Sequence, residues 1–530
     1  MSQSWSLMSL PDTQKTRIAR ASANEKGWRD LEFTTGEALA GKVPSGSAEP
    51  LLSLVHISDL HICDAQSPAR AELMDRFADP HHPMSALVKL VGAYRAQEIM
   101  TTQTLEAMVR TINTFEHGVF SKRPIDAVVV TGDVTDNAQK NELSWYLALL
   151  DGGTVHPDSG DTSLWEGVAS KDPAKYDPSY WNPEGTPAGC VDDYPRSLYG
   201  MPTIPGLTDA VRKPFNATGL KHRWFATHGN HDALLQGTVP ADPELMSIAL
   251  GDQRLVELAS DSNLQEIFSK WTQVGPAGYA SPQGGKFVPQ SADSNRTFNQ
   301  PSDWANAHLA CDHDGHGLTQ ENAAHGTKYW FKDLGEIRLI SMDTVNTHGG
   351  WQGSLDETQF EWLKQTLVSA SEKYVVLLSH HPAPTLFNDY APEGSERRIC
   401  EDELVAELLK HENLILWLAG HNHEHSIERV AKNGARGFWH LQTASNIDWP
   451  QQGRLVEIVR DGQSLVIATS VFDHQSPIDL AQAITDLEDP VNLAGISRLL
   501  SANHWQRRSG EFDLELMAGQ PKDRNQYLWL

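Results

Sequence analysis

The sequence is short of positive charge. Its 43 Lys and Arg stand against 69 Asp and Glu, so the formal net charge is −26 with histidine counted as neutral. Proteins that bind nucleic acid regardless of base sequence draw most of their affinity from cations placed against phosphates. No run rich in Lys or Arg offers a local exception to the overall sign. We therefore expect no duplex nucleic acid among the partners.

Cysteine is also scarce. The chain has four, Cys63, Cys190, Cys311 and Cys400, which lie far apart and form no Cys-x-x-Cys pair. Neither a disulfide-rich scaffold nor a thiolate zinc site is therefore indicated. Reduced thiols with a structural role are the expected state.

Long hydrophobic runs are missing as well. No apolar run approaches the length of about 18 residues that a membrane-spanning helix needs. The first 50 residues are polar and mixed in charge, without the apolar core of a signal peptide and without a twin arginine. We predict a soluble, cytoplasmic protein without a membrane span, unless a leader has been removed. The sequence does not indicate an oligomeric state.

The chain does contain enough apolar material for a large core. Hydrophobic residues make up 39% of its 530 residues, and these include 16 Trp. That composition excludes a disordered chain. The length allows two to four domains, or one large domain with insertions.

Five short aliphatic runs end abruptly in a polar cluster. The runs cover residues 51–57, 127–130, 224–226, 375–378 and 414–419. Apolar runs of this length are typical of strands that are buried on both faces. Ligands of open α/β sheets gather just beyond the carboxyl ends of the strands. Five polar tips therefore predict one shared site.

Helical patterns lie between these runs. We predict one helix over residues 104–115 and another that begins with a capping box of Ser354 and Glu357. The alternation of strands and helices indicates an α/β (α+β) class. A further helix is predicted after residue 476, with Leu480, Ile484 and Leu487 on one face.

The same reading divides the chain into three parts. We predict a polar N-terminal arm over residues 1–50, a main domain over 51–475 and a C-terminal helical extension over 476–530. Two stretches break the alternation within the main domain, one rich in proline at about 151–220 and one mostly polar at about 239–328. Long irregular stretches in a compact fold are usually functional or disordered, and we predict that these insertions form a lid or a pocket wall.

The polar clusters are rich in side chains that bind metal ions. Seven of them are carboxylates, imidazoles or an amide: Asp59, His61, Asp133, Asn230, His380, His421 and His423. Such ligands suit borderline divalent metals, and no thiolate is among them. Seven are too many for one tetrahedral site. They suit two ions that share a carboxylate. Such pairs occur where an in-line displacement at phosphorus needs both the attacking and the leaving oxygen stabilised.

The clusters, taken in order, resemble the signature blocks of the calcineurin-like metallophosphoesterase superfamily. The blocks are Asp59-Leu60-His61, Gly132-Asp133-Val134-Thr135-Asp136-Asn137, Gly229-Asn230-His231-Asp232, His380 and Gly420-His421-Asn422-His423. The resemblance spans residues 51–445 and implies a four-layer αββα sandwich with two divalent metals at one edge of paired sheets. It implies one metal on Asp59, His61, Asp133 and His423. It implies the other on Asp133, Asn230, His380 and His421, with Asp133 as the bridge.

The resemblance also suggests roles for neighbouring residues. It implies that His231 is a general acid or a transition-state stabiliser. Asp136 matches the acid that pairs with this histidine, and Asp232 is a competing partner. His381 is an alternative to His380, which we prefer because the family's ligand typically stands two residues before the proline. Asn137 and His381 are candidates for substrate binding.

The implied reaction is hydrolysis of a small phosphoester by a metal-bridging hydroxide, with His231 assisting the leaving group. His61 and Asp136 differ from the glycine and tyrosine of purple acid phosphatases, so a purple site is not expected. Asn137 stands where Ser/Thr protein phosphatases carry an arginine that binds a phosphate dianion. A phosphodiester has one negative charge fewer than a monoester dianion, so metals and neutral hydrogen-bond donors are sufficient to bind it. We therefore favour a phosphodiester over a phosphomonoester, and Mn, Fe or Zn as the metals.

Two other interpretations remain open. The segment His421-Asn422-His423-Glu424-His425 imitates the His-x-His-x-Asp-His motif of metallo-β-lactamase-like hydrolases, although Glu replaces Asp. That interpretation leaves Asp59, Asp133 and Asn230 without a role. A non-catalytic protein that binds metal or ligand is the second alternative, and the complete ligand set argues against it.

Aromatic residues outside the blocks are candidates for substrate contacts. The first insertion contains four of them, Trp165, Tyr176, Trp181 and Tyr199, which could stack on a base or simply pack in a core. The segment His348-Gly349-Gly350-Trp351 follows an apolar run over residues 337–342. It could reach the mouth of the site or be an ordinary turn permitted by its glycines.

Overall fold

The structure is a computed structural model of the chain. It describes residues 13–271, 274–275, 284–311, 315–432, 436–508, 510 and 512–530. Parts of the predicted N-terminal arm and of the second insertion therefore lie outside the described residues.

The strands and helices of these residues follow one another along the whole chain. The strands are β1 (Thr16–Arg20), β2 (Leu31–Thr35), β3 (Glu49–Ile57), β4 (Ala127–Thr131), β5 (Gly153–Val155), β6 (Phe215–Ala217), β7 (Trp224–Thr227), β8 (Leu234–Leu235), β9 (Val239–Pro240), β10 (Gln253–Glu257), β11 (Lys286–Pro289), β12 (Trp330–Leu334), β13 (Ile337–Ser341), β14 (Leu355–Asp356), β15 (Tyr374–Leu378), β16 (Arg398–Ile399), β17 (Leu414–Ala419), β18 (Ser426–Val430), β19 (Phe438–Gln442), β20 (Gln452–Asp461), β21 (Ser464–Asp473) and β22 (Gln526–Trp529). The α-helices are α1 (Glu72–Asp75), α2 (Thr101–Ile112), α3 (Lys140–Asp151), α4 (Tyr194–Tyr199), α5 (Leu207–Ala210), α6 (Pro243–Leu250), α7 (Leu264–Trp271), α8 (Asp303–Leu309), α9 (Gln320–His325), α10 (Glu357–Ser369), α11 (Glu401–Leu408), α12 (Leu480–Ala483), α13 (Pro490–Ser501) and α14 (Leu514–Met517).

Two large sheets organise the fold. The described strands of the first have the order β22-β21-β20-β3-β4-β7, in which β3, β4 and β7 run parallel and the others antiparallel. Those of the second have the order β12-β13-β15-β17-β19-β18, with a parallel centre of β13, β15, β17 and β19. The chain thus has mixed α/β content with sheets of mixed orientation, which is consistent with the metallophosphoesterase sandwich that the resemblance implies.

The core follows from the alternation of side chains along the strands. In β15, Val376 and Leu378 belong to one large apolar cluster together with Leu54 of β3 and Val128 of β4. The intervening Leu377 belongs to a separate cluster with apolar residues of α10 and α11. Successive side chains of a strand point to opposite faces, so one face of β15 packs toward the first sheet and the other packs against helices.

Several predicted elements differ in their bounds. The helix predicted over residues 104–115 exists as α2, which begins earlier, at Thr101. The capping box of Ser354 and Glu357 is wrong. Asp356 caps α10 instead, accepting a hydrogen bond from the backbone N–H of Gln359 at 2.7 Å. The Ser354 hydroxyl accepts a hydrogen bond from Arg398 Nε at 2.9 Å.

The C-terminal segment contains helices but also completes the first sheet. Its last strand, β22, pairs with β21 from Val466–Trp529 to Thr469–Gln526, so the prediction of a purely helical extension is incomplete. The helix predicted through Ile484 and Leu487 is shorter than expected, because α12 ends at Ala483. No described helix is both long and apolar enough to cross a bilayer.

The first insertion shares a second core with the C-terminal helices. Trp181, Met201 and Ile204 are buried in one cluster with Ile496 and Leu500 of α13. This packing explains why a proline-rich stretch is ordered. The indole of Trp181 and the ring of Tyr199, both candidates for base stacking, contact the Pro202 carbonyl and the Trp505 ring respectively.

Candidate metal centre

The five polar tips meet at one edge of the two sheets. Within the first sheet, the backbone N–H of His61 donates to the carbonyl of Asp133 at 2.9 Å. Between the sheets, the backbone N–H of His421 donates to both carboxylate oxygens of Asp59, each at 3.1 Å. The structure therefore brings together the residues that follow β3, β4, β7, β15 and β17.

The backbone at this edge is held in an uncommon conformation. Five of the seven candidate ligands have a positive φ, between 44° and 72°: Asp59, His61, Asp133, His421 and His423. Residues other than glycine seldom adopt this region, and such strain concentrates at functional sites. Gly229 makes close packing possible here, because a Cβ at this position would overlap the carboxylate of Asp133.

One group of candidate ligands consists of Asp59, His61 and His423. Each offers a ligand atom within 4.8 Å of the others. The two Nε2 atoms of His61 and His423 are 3.2 Å apart, and Nε2 of His423 is 3.4 Å from Oδ1 of Asp59. Two imidazole nitrogens and a carboxylate oxygen thus point at the same small space.

The second group consists of Asp59, Asp133 and His380, again with ligand atoms within 4.8 Å. Nε2 of His380 is 3.1 Å from Oδ2 of Asp133 and 3.2 Å from Nδ1 of His421. The same Oδ2 of Asp133 is 3.7 Å from Nε2 of His61. Asp133 therefore lies between the two groups.

Three of the histidines are oriented by a hydrogen bond at the opposite ring nitrogen. The Nδ1–H groups of His61, His380 and His423 donate to Asp136 Oδ1 at 3.0 Å, the Thr131 carbonyl at 2.8 Å and Asp448 Oδ2 at 2.7 Å, respectively. Metal-binding histidines typically make this outer hydrogen bond, which fixes the tautomer and the orientation of the ring. The lone pair of each Nε2 is thereby directed at the carboxylates of the centre.

Asn230 provides an independent test of whether metal ions fit. Its Nδ2 donates to the carbonyl of Gly237 at 2.9 Å. Its Oδ1 is buried and has no hydrogen-bond partner among the described residues. A buried oxygen without a donor is costly unless a cation or water satisfies it. This oxygen and the surrounding nitrogen and carboxylate donors fit divalent cations.

The electrostatics favour the metal-binding protonation state of Asp133 and His61 but not of His380. Burial opposes ionisation of Asp133, but the imidazoles of His380 and His231 outweigh it and hold its pKa well below the usual range. Burial lowers the pKa of His61 to about 4. Burial also disfavours the charged form of His380, yet Asp133 and Asp59 raise its pKa to about 9. A cation and a proton therefore compete for that ring.

Asp136 contacts both His61 and His231, in different ways. Its carboxylate accepts from His61 Nδ1–H and from Arg70, which lies fully buried beneath it. Its backbone carbonyl accepts from His231 Nδ1–H at 2.6 Å, whereas its carboxylate Oδ1 is 3.9 Å from that nitrogen. The carboxylate thus orients His61, and the main chain orients His231.

Asp232, the other candidate partner of His231, ties two loops together. Its Oδ1 accepts from the backbone N–H groups of Val134 and Thr135 at 3.0 and 2.9 Å, and its Oδ2 accepts from Gly229 N–H at 2.8 Å. The side chain therefore holds the second block against the third.

The two candidates for substrate binding are both buried. Nδ1 of His381 is 2.8 Å from the Thr344 hydroxyl, and its Nε2–H donates to the Trp351 carbonyl at 3.0 Å. Oδ1 of Asn137 accepts from the Gln236 backbone N–H at 2.9 Å. Both ring nitrogens of His381 are thus engaged by the protein, which favours His380 as the ligand.

Asp448 is a residue that the sequence reasoning missed. It is buried behind His423 and accepts hydrogen bonds from Gln97 Nε2 at 3.0 Å as well as from His423. Arg95 and Arg507 each lie 3.1 Å from one of its oxygens. The signal was present, because Asp448 follows β19 in a polar cluster like the other five. It was missed because β19 includes Trp439, His440 and Gln442 and is not a continuous aliphatic run.

His425, the last histidine of the lactamase-like motif, makes its contacts away from the candidate metal centre. Nδ1 of His425 accepts from the Ala444 N–H at 3.2 Å and from Arg454 Nη2 at 3.1 Å, and its Nε2 is 3.1 Å from Gln452 Oε1. A further group with ligand atoms within 4.8 Å, Asp151, Cys311 and His316, lies outside the centre beside Trp224. All four cysteines are described, and none forms a disulfide.

The fold and this centre define a metal-dependent hydrolase of mixed α/β class. The family model for calcineurin-like phosphoesterases, Metallophos, matches residues 205–425. Over these residues, which are less than half of the chain, the protein is similar to the calcineurin-like phosphoesterases. It is a metal-dependent phosphoric ester hydrolase. The matched residues contain the last three blocks, and Asp59 and Asp133 reach the same centre through the parallel strands β3 and β4.

A dimetal phosphatase from Danio rerio is among the solved structures that match. It is 11% identical, and the match covers 80% of this chain and 100% of that chain with a TM-score of 0.35. A similarity of this size is too weak to carry a conclusion. No curated protein matches the chain.

Proposed function

We propose that the protein hydrolyses a small phosphodiester at a centre of two divalent metal ions, with Mn, Fe or Zn as the metals. The observation that carries the proposal is the juxtaposition of two ligand groups, Asp59, His61 and His423 and then Asp59, Asp133 and His380, with the Nε2 atoms of three histidines directed inward. Two ions placed so would activate water and neutralise charge on the phosphoryl oxygens.

The division of the ligands between the ions follows the family resemblance. We propose that Asp59, His61, Asp133 and His423 hold one ion. Asp133, Asn230, His380 and His421 would hold the other. The Oδ2 of Asp133, which is 3.7 Å from His61 Nε2 and 3.1 Å from His380 Nε2, supports its role as the shared ligand.

We propose that His231 contacts the substrate instead of a metal. Its backbone N–H donates to Asp133 Oδ1 at 2.9 Å, and its Nδ1–H donates to the Asp136 carbonyl. Nε2 is therefore the ring nitrogen that can face a substrate, and 15% of the side chain is exposed. We propose that it assists the leaving group or stabilises the phosphoryl oxygens.

The charges around the centre support a diester. The guanidinium of Arg70 is buried and paired with Glu98 at 2.8 Å and with Asp136. The guanidinium of Arg95 is buried and lies 3.1 Å from Asp448. Both cations are thus already balanced by carboxylates, so neither is available for the second charge of a monoester dianion. The net charge of −26 also disfavours approach of long polyanions.

The insertions supply walls for this site in our proposal. Arg296 of the second insertion is buried, with Nε 3.3 Å from Asp64 Oδ2. Its Nη2 donates at 2.9 Å to the hydroxyl of Ser159 in the first insertion. Asp64 follows His61 by three residues, so both insertions are anchored beside the first block.

The test is hydrolysis of bis-p-nitrophenyl phosphate and p-nitrophenyl phosphate by the protein loaded with Mn²⁺. We expect turnover that favours the diester, two ions per chain by metal analysis, and activity near background in Asp133→Asn. His231→Ala should lose about 10²–10⁴-fold in kcat. Asp333→Asn, which removes a surface carboxylate paired with Arg338 at 2.7 Å, is the matched control.

Other outcomes would select the alternatives. Preference for the monoester would indicate a phosphomonoesterase on the same centre. Ion binding without turnover of any phosphoester would indicate a binding protein. Full activity in both Asp133→Asn and His231→Ala would refute the assignment of the centre.

A further inference from the structure

Two large aromatic side chains stand exposed beside the candidate metal centre. Trp351 is 37% exposed and Phe387 is 46% exposed. The Trp351 ring lies nearly parallel to the ring of His421, with centroids 5.8 Å apart and planes inclined by 19°. Phe387 meets Trp351 edge to face, with centroids 5.7 Å apart. We name Trp351 and Phe387 the aromatic rim.

The loop that carries Trp351 is held rigidly from behind. The buried Asn388 donates through Nδ2 to the carbonyls of Gly349 and Gln352, at 2.9 and 3.2 Å. The carbonyl of Trp351 itself accepts from His381 Nε2–H at 3.0 Å. The backbone that carries the indole is therefore held in place before any ligand arrives, which reduces the entropy lost on binding.

The aromatic rim lies where the organic group of a bound phosphoester would extend. His421 would hold a metal that contacts the phosphoryl group. Trp351 stacks against the ring of His421 and is partly exposed to solvent. A group esterified to that phosphoryl would extend over or beside the rim. Exposed, pre-positioned aromatic side chains bind flat rings by stacking, largely independent of the identity of the ring.

We propose that the aromatic rim binds the organic group of the substrate and that this group carries a flat aromatic ring, either an aryl group or a nucleobase. This inference rests on the proposed function, because it takes the phosphoryl position from the metal centre. It assigns Trp351 and Phe387 as specificity-determining residues and not as catalytic ones.

The experiment compares ligands with and without a ring. Binding of phenyl phosphate, adenosine monophosphate and methyl phosphate to the Mn²⁺-loaded protein is measured by calorimetry, for the wild type, Trp351→Ala, Trp351→Phe and Phe387→Ala. Phe331→Ala removes an aromatic residue of similar exposure that packs on Arg338 and serves as the matched control. Metal content is measured for every variant.

We expect Trp351→Ala to weaken binding of a ring-bearing ligand by about 5- to 150-fold, since stacking of one base contributes about 1–3 kcal/mol. Phe387→Ala should act in the same direction, and Trp351→Phe should retain most of the binding. Methyl phosphate should bind all variants within about twofold. A loss confined to phenyl phosphate would identify an aryl substrate, and one confined to adenosine monophosphate would identify a nucleotide.

Two results would overturn the proposal. The first is an equal loss for methyl phosphate, which would mean that Trp351 acts only through His421 and the metal. The second is unchanged binding of both ring-bearing ligands. These measurements do not depend on turnover, so failure of the proposed hydrolysis would be seen separately, as ring-dependent binding by an inactive protein.

Discussion

Replacing Asp448 by asparagine tests whether the residues behind the ligands tune the centre. Asp448 is buried and holds the ring of His423 through a hydrogen bond of 2.7 Å to Nδ1. Burial opposes its ionisation, but Arg507 and Arg95 outweigh that effect and keep its pKa well below the usual range. It is therefore a carboxylate at neutral pH. Asparagine keeps its shape and removes its charge.

The expected size of the effect follows from the role of this hydrogen bond. Loss of an outer partner of a metal-binding histidine typically weakens metal affinity or activity by about 10- to 100-fold, which corresponds to about 1.4–2.7 kcal/mol. Only the ion that we propose for His423 should be affected, because the rings of His61 and His380 are oriented by Asp136 and Thr131. The second ion should bind as in the wild type.

The assay is a titration of metal-free protein with Mn²⁺, followed by activity and by metal analysis. We expect one of two binding steps to shift to higher Mn²⁺ concentration, with activity partly restored by excess metal. Since Asp448 also balances Arg95 and Arg507, the free energy of unfolding is measured in parallel, and Asp333→Asn serves as the control. Unchanged affinity for both ions in a folded Asp448→Asn protein would refute the reasoning.

Three further predictions address packing, pH and metal removal. Gly237 has a φ of +64°, and a Cβ there would overlap the His231 ring and the Asn230 amide. Gly237→Ala should therefore lose bound metal and activity, while its backbone strain lowers stability by only about 1–2 kcal/mol. Normal metal content by mass spectrometry would contradict this. Burial and the neighbouring Asp79 raise the pKa of Asp75 to about 7, although Gln506 and Arg95 act in the opposite sense. The folded state thus keeps a proton that the unfolded state releases above about pH 4, and stability falls as pH rises from about 4 to 7. Asp75→Asn should flatten that pH dependence and stabilise the protein at pH 8 by about 2–4 kcal/mol in urea unfolding; an unchanged pH slope would count against it. Removal of metal with EDTA should lower the thermal midpoint, because ions that bind only the folded state stabilise it, and re-addition of Mn²⁺ should restore it; a midpoint insensitive to both would argue against metal binding.

Much of the centre was predictable from local pattern. The apolar runs that became β4 and β17 are fully buried strands, because residues such as Val128 and Leu416 cannot be left in water. Strands of this kind pair in parallel at the middle of a sheet, so their carboxyl ends share an edge. The polar residues after each run were therefore expected to meet, and they do.

The hydrogen-bond partners that orient the ligands could not be predicted from local pattern. Asp448 and His423 are separated by the strands β18 and β19, and Asp59 and His421 by most of the chain. Which of two adjacent histidines faces the centre depends on Thr344 and Trp351, which approach His381 only in the folded protein. Hydrogen bonds between distant segments depend on how the sheet edges close together, and no local pattern records that.

The sequence by itself thus determined the kind of chemistry, because residue type and position after a buried strand are local properties. The tertiary structure decided which nitrogen of His61, His380 and His423 faces inward, which acceptor orients each ring, and that Trp351 and Phe387 stand beside the centre. It also decided that the first insertion and the C-terminal helices share one core. These features depend on distances of a few ångströms between segments far apart in the chain, and only packing fixes such distances.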